Sequence, residues 1–379
     1  MVFAMITIRP GSHVHRLLQL LSTAGEIPVN ALSLLGNERV LSTLVHRLES
    51  VQDIRFERDG EVYRTKLIHV SGKKGERTIR LYRKGLPVLD GLYPGLHERY
   101  MESFKNHNFS SDRFHIERNH RVAEIIAMCM AAGIETRPYS LPALQKSEIR
   151  LVVPDSPSFY ISRDIKKTGN ETNKTSYTRI VGALFYPGGV YAAYNTRDAT
   201  MKWSGLGEMK TLNNLLELAR MNAGLSEAPD ALLFGQDADT ALRTILESDK
   251  SRRPELRFDR IYQHIYFLPL DDNGVQLLKI LITPDWNEKL LSALFNQDQR
   301  SYNQGSMEYD AMVDGRMILS HLDGDIARLI RFREALYSRT EPADVICYPW
   351  QVKFLKSYLG GYAGLRELEP ATVESALRS

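Results

Sequence analysis

The chain has 379 residues, 43% hydrophobic and 25% charged, with a formal charge of +3. This is ordinary globular composition, long enough for two or three domains, and a charge so near zero excludes a nucleic-acid surface spread over the whole chain. Two separated cysteines in apolar contexts, Cys129 and Cys347, argue against a disulfide framework or a zinc knuckle, and no apolar run approaches the length of a membrane span.

Ser12, after Pro10-Gly11, is placed to cap a helix in which Val14, Leu17, Leu18 and Leu21 recur at helical spacing. Ala24-Gly25 ends it. Pro28 fits the first turn of a second, short helix with Val29, Leu32 and Leu35 inside. Asn37 then caps a third helix, ERVLSTLVHRLES, with Val40, Leu41, Leu44, Val45 and Leu48 as the buried stripe. Its other side carries Arg39, Ser42, Thr43, His46 and Arg47. Two helices joined by a glycine-containing turn, the second polar and basic, form a helix-turn-helix arrangement.

The stretch from Arg55 to Lys84 is both basic and apolar. FERDGEVYRTKLIHV reads as two strands around the Asp59-Gly60 turn, and Lys73-Lys74-Gly75 turns the chain into a further strand, RTIRLYRKG. The reading is a winged helix-turn-helix with this ribbon as its wing. Apolar side chains would hold the ribbon on the domain, and Arg64, Lys66, Lys73, Lys74 and Arg77 would meet phosphate or the minor groove. Residues 1–90 hold 14 Lys and Arg against 9 Asp and Glu, so the basic surplus sits with this module. The bland alternative is a solvated edge that lysine protects from pairing.

After the ribbon, RLYRKGLPVLDGLYP is similar to the Tyr-x-Leu-Thr-x-x-Gly ending of many bacterial winged helices, with Arg83 where that pattern has threonine. Asn119-His120-Arg121 then opens a helix that buries Val122, Ile125, Ile126 and Cys129, and Gly133 stops it. A winged helix, a basic ribbon and an Arg-Asn-His-Arg-Val-Ala-Glu helix together resemble the replication-relaxation family, over roughly residues 12–137. Those are winged-helix proteins of plasmids and integrated conjugative elements. The resemblance implies a DNA-binding protein of a mobile element, active in plasmid replication or DNA relaxation. His115 and His120 do not form the His-hydrophobe-His metal motif of rolling-circle relaxases, and His120 reads as a capping or core histidine.

Strands alternate with helices in the remainder, which argues an α/β sheet. A hairpin is expected around Pro187-Gly188-Gly189, then a helix with Leu212, Leu215, Leu216 and Ala219 inside. PDALLFG is expected as a strand, and a helix follows with Asp239 as its N-cap. IYQHIYFLPL and VQLLKILIT are expected as strands, and DWNEKLLSALF as a helix capped by Asp285. A helix with Ile326, Leu329, Ile330 and Phe332, the strand DVICYPW and the helix QVKFLKSYL complete the pattern. Glu208-Met209-Lys210 is a Glu-x-Lys, which in restriction-endonuclease-like folds lies on a strand and holds a divalent metal. Here the local period is helical, so Glu208 reads as part of a solvated first turn.

The expected fold class is α/β overall, an N-terminal winged helix-turn-helix followed by a larger α/β domain. The expected boundaries are 12–95 for the winged helix, 96–150 for a helical connector and 151–370 for the α/β domain. The expected function is binding of double-stranded DNA as a replication or relaxation accessory or regulator, with no cofactor, metal or catalytic residue. The partners would be DNA, replication or conjugation proteins and a second copy in a homodimer, in the cytoplasm and away from membranes. The alternative is a metal-dependent nuclease with Glu208 and Lys210 in its site.

Overall fold

The structure is a computed structural model that describes residues 5–57, 60–73, 77–134, 136, 156–165, 178–200, 205–220, 229–250, 257–301, 308–338 and 341–378. The chain divides into two units, Met1–Ser140 and Leu141–Ser379. Both are mixed α/β. No helix among the described residues is long and apolar enough to cross a membrane.

The first unit runs β1 (Ile6–Ile8), α1 (His13–Ala24), β2 (Glu26–Pro28), α2 (Leu32–Leu35), α3 (Glu38–Leu48), β3 (Gln52–Phe56), β4 (Val62–Thr65), β5 (Ile68–Ser71), β6 (Thr78–Leu81), α4 (Leu96–Ser103) and α5 (Arg113–Ala131). Both expected caps form: Ser12 accepts from the His15 amide and Asn37 from that of Val40. Leu17, Leu18 and Leu21 of α1 and Leu41, Val45 and Leu48 of α3 are buried. Val40 differs from expectation and is 49% exposed, because the stripe at 41, 45 and 48 turns position 40 outward.

The basic ribbon is two hairpins in two sheets, where one continuous wing was expected. β3 and β4 join β1 in one sheet, while β5 and β6 join β2 in another, in the order β2-β6-β5. The break falls at Leu67-Ile68, both of them buried. A single strand sends neighbouring side chains to opposite faces, so two adjacent inward residues cannot continue a half-exposed strand. Leu67 is fixed by backbone bonds on both sides, donating to the Leu48 carbonyl at 3.1 Å and accepting from the Tyr82 amide at 2.8 Å. Gly85 lies against this crossing, where a Cβ would stand 2.5 Å from the Lys66 carbonyl oxygen. Strand β2 also went unforeseen, since Glu26-Ile27-Pro28 is too short to show a period.

Helix α5 starts at Arg113, six residues before the expected Asn119, with Asp112 as its cap. It packs on β2, α1 and α2, so residues 96–134 belong to the first unit. His120 is a core histidine, buried and hydrogen-bonded to Thr78 Oγ1 at 3.0 Å. Beside it the fully buried Glu26 accepts from Arg80 Nε at 2.5 Å and from Asn119 Nδ2 at 2.7 Å. This polar knot joins β2, β6 and α5.

The second unit runs β7 (Ser158–Ile161), α6 (Ser162–Ile165), β8 (Gly182–Tyr186), β9 (Gly189–Arg197), α7 (Leu206–Leu218), β10 (Asp230–Gly235), α8 (Ala238–Asp249), α9 (Phe258–Ile261), β11 (Ile265–Pro269), α10 (Asp272–Leu281), α11 (Trp286–Leu294), β12 (Ala311–Val313), β13 (Arg316–Ser320), α12 (Ile326–Leu336), β14 (Ala343–Cys347), α13 (Val352–Leu359), β15 (Gly364–Glu367) and α14 (Pro370–Arg378). One sheet has the order β11-β10-β9-β8-β7, parallel from β9 to β11 and antiparallel from β7 to β9. The other has the order β12-β13-β14-β15, with β13, β14 and β15 parallel. Leu233 and Phe267 of the first sheet share a core with Leu319 and Val345 of the second and with Ile330 of α12.

Three expectations change here. VQLLKILIT is helix α10, because Asp271 accepts from the Asn273 and Gly274 amides and starts a helical turn. Its nearly continuous apolar run cannot separate strand from buried helix by period alone. Helix α8 is capped by Asp237 in place of Asp239, whose carboxylate pairs with Lys353 at 3.0 Å. Asp285 sits at the start of α11 but makes no side-chain cap bond; its φ is +54°. Cys129 and Cys347 are buried free thiols.

Candidate functional site

The sequence singles out a face built from α3 and the basic hairpins. Arg39, Ser42, Thr43, His46 and Arg47 are all exposed on α3, on the side away from Leu41, Val45 and Leu48. The helix supplies this by period alone, since 39, 42, 43, 46 and 47 fall on one stripe. The Thr43 hydroxyl donates to the Arg39 carbonyl at 2.9 Å, and Arg47 reaches the Met5 carbonyl at 3.4 Å. Glu49, at the C-terminal end of α3, accepts from the Val70 amide at 3.0 Å and ties the helix to β5.

The ribbon residues divide among several places. Arg64 is exposed on β4, in the sheet with β1 and β3. Lys66 lies between the hairpins, half-buried, with its ammonium 5.3 Å from the centre of the Tyr82 ring. Lys73 and Arg77 are exposed on the connection between β5 and β6. Lys74, on the same connection, lies outside the described residues. Lys73 and Arg77 therefore share a hairpin with each other but not with Arg64.

Glu208 and Lys210 lie in the first turns of helix α7, not on a strand. Glu208 is buried, where a solvated residue was expected, and its carboxylate accepts from the Gly205 amide at 2.9 Å. Thr211 and Asn214 are buried on the same helix side, while Lys210 is exposed. The helix thus buries a polar stripe. No group of three or more metal-binding side chains converges among the described residues.

Sequence reading missed a polar cavity of about 330 Å³ in the second unit. Its wall includes His264, Tyr266, Trp286, Asp310, Asp323 and Arg328. Strand β13 ends at Ser320 and leads into the turn Asp323-Gly324-Asp325, which starts helix α12. Gly324 has φ +74°, and a Cβ there would stand 2.9 Å from the Phe267 carbonyl oxygen, so the turn requires glycine. Asp325 Oδ1 accepts from the Ile265, Ala327 and Arg328 amides, and its Oδ2 lies 2.6 Å from His264 Nδ1. Burial opposes charge on His264, but the Asp325 hydrogen bond and the nearby Asp325, Asp230 and Asp323 carboxylates outweigh it and push the imidazole up to about 9. Burial and the neighbouring Asp325 raise Asp323 to about 7, while Arg328 pulls the other way. Arg328 is held as a cation by Asp310, which also accepts from the Ser320 amide at 2.7 Å.

The one local signal for this site was Asp-Gly-Asp between an apolar run and a helix. His264 carried none, because its partner stands 61 residues further on. The chain matches no family model, no curated protein and no solved structure.

Proposed function

We propose that the first unit is a winged-helix reader of duplex DNA, with α3 entering the major groove. The observation that carries this reading is the two-sided character of α3. One stripe is buried and apolar, and the other presents two arginines, a histidine and two hydroxyls to solvent. Such side chains donate to phosphates and to base edges.

The strand pattern supports it. α1, β2, α2, α3 and the β5–β6 hairpin follow in the order of a winged helix, with β2 pairing to β6. The wing in this reading is the β5–β6 connection with Lys73, Lys74 and Arg77. The β3–β4 hairpin, which carries Arg64, is an insertion between the third helix and the wing. Together with the replication-relaxation resemblance over residues 12–137, this gives a cytoplasmic DNA-binding protein of a mobile element, an accessory or regulator of replication or relaxation. The second unit would engage a replication or conjugation protein or a second copy of the chain.

Fluorescence anisotropy of a random duplex with the full chain tests the reading. Arg39→Ala with Arg47→Ala is expected to weaken binding on the order of tenfold to a hundredfold. Unchanged affinity would sink it. Running the assay with Mg²⁺ and inspecting the DNA for cuts addresses the nuclease alternative, since Glu208 sits on a helix and caps Gly205.

A further inference from the structure

The DNA reading makes no use of the cavity in the second unit. Around that cavity most charges are matched. Glu308 is held by Arg331 at 3.0 and 2.9 Å, Asp310 by Arg328, and Asp325 by His264 and three backbone amides. Among the described residues, Asp323 has no close ion pair of its own and shares the field of Arg328, which Asp310 holds. Asp323 is 5% exposed and lines the cavity, and its one hydrogen bond among the described residues is from the Asp325 amide to Oδ1, at 2.9 Å. A buried carboxylate with an open oxygen carries a desolvation cost that a hydrogen-bond donor would offset.

We propose that this cavity binds a small organic cation, of the alkylguanidinium or amine class, whose nitrogen pairs with the Asp323 carboxylate. Four observations select this ligand class. In the wall three carboxylates (Glu308, Asp310 and Asp323) stand against two cationic side chains (His264 and Arg328), which disfavours a phosphate or carboxylate ligand. The acids do not converge as a set of three metal ligands among the described residues, which favours an organic cation over a metal ion. Tyr266, Trp286 and Tyr309 form part of the wall, and aromatic faces favour a delocalised cation. The volume of about 330 Å³ is in the range of small-ligand sites.

Protonation of Asp323 would remove the pairing charge. The groups around it are Asp325 on the same turn, Arg328 on α12, Asp310 before β12, His264 and Tyr266 at β11, and Tyr348 after β14. Of these, His264 stays cationic and Asp325 anionic through the neutral range.

The test is calorimetric titration of the full chain with agmatine, an alkylguanidinium. Saturable binding is expected at about pH 8, falling at least about fivefold by about pH 5.5 as Asp323, whose carboxyl burial and Asp325 raise above the usual carboxylate range, takes a proton. Asp323→Asn is expected to weaken binding at least about tenfold, the scale of one lost charged hydrogen bond. Glu247→Gln, at an exposed carboxylate on α8, is expected to leave it unchanged. The Asn variant's melting transition is read in parallel, and the wild-type pH titration decides the matter by itself where that variant fails to fold. No saturable binding, equal binding by a folded Asp323→Asn, or wild-type affinity independent of pH would each overturn the proposal.

Discussion

Glu26 is fully buried, and its charge is met by Arg80 on β6 and by Asn119 on α5. Removing one partner strands the other, so Arg80→Met is expected to cost about 3 kcal/mol or more, read by urea unfolding. A loss below about 1 kcal/mol would mean that water reaches Glu26. His264 sets a second residue-scale prediction. The unfolded imidazole titrates near 6.5 and the folded one near 9. Its stabilising contribution is therefore full below about 6.5 and is lost as pH climbs through 9. Thermal melts between about pH 7 and pH 9.5 are expected to show a decline of roughly 2 kcal/mol, allowing for the partly exposed ring. His264→Gln is expected to flatten that decline, and an unchanged slope in the variant would assign it to another group.

At the scale of elements, local chemistry decided what could be read. α1 and α3 were legible because capping side chains and a period near 3.6 agree. The β8–β9 hairpin was legible from Pro187-Gly188-Gly189. α10 was not, because Val275, Leu277, Leu278, Ile280 and Leu281 are all buried and the apolar run is interrupted at Gln276 and Lys279 alone, a polar face too narrow to outweigh the strand-like run. The deciding residue was Asp271, and Asp271→Ala is expected to cost about 1 kcal/mol in chemical unfolding. A change within error would mean that packing of the apolar run holds the helix without its cap. The ribbon's division at Leu67-Ile68 was visible in the residues as two adjacent apolar positions, but which sheet each half joins depends on β1 and β2, far away in the chain. The α3 face was legible residue by residue. The cavity was not, because His264, Asp310 and Asp323 come from three separate connections.

For the whole molecule, the basic surplus and the exposed α3 face lie in the first unit, while the polar cavity with its open carboxylate lies in the second. Each unit has its own buried core. Residues 1–140 expressed alone are therefore expected to give a cooperative thermal transition with helical circular dichroism; a featureless melt would show that the unit depends on the rest of the chain. The measurement that tests the central claim most directly is the affinity of the full chain for random duplex DNA as a function of salt. If α3 and the basic hairpins meet the phosphate backbone through up to seven cationic side chains, log K falls linearly with log salt, with a slope between about −3 and −6. No binding at low salt, or binding that salt does not weaken, would contradict a DNA reader and leave the basic ribbon as a solvated sheet edge.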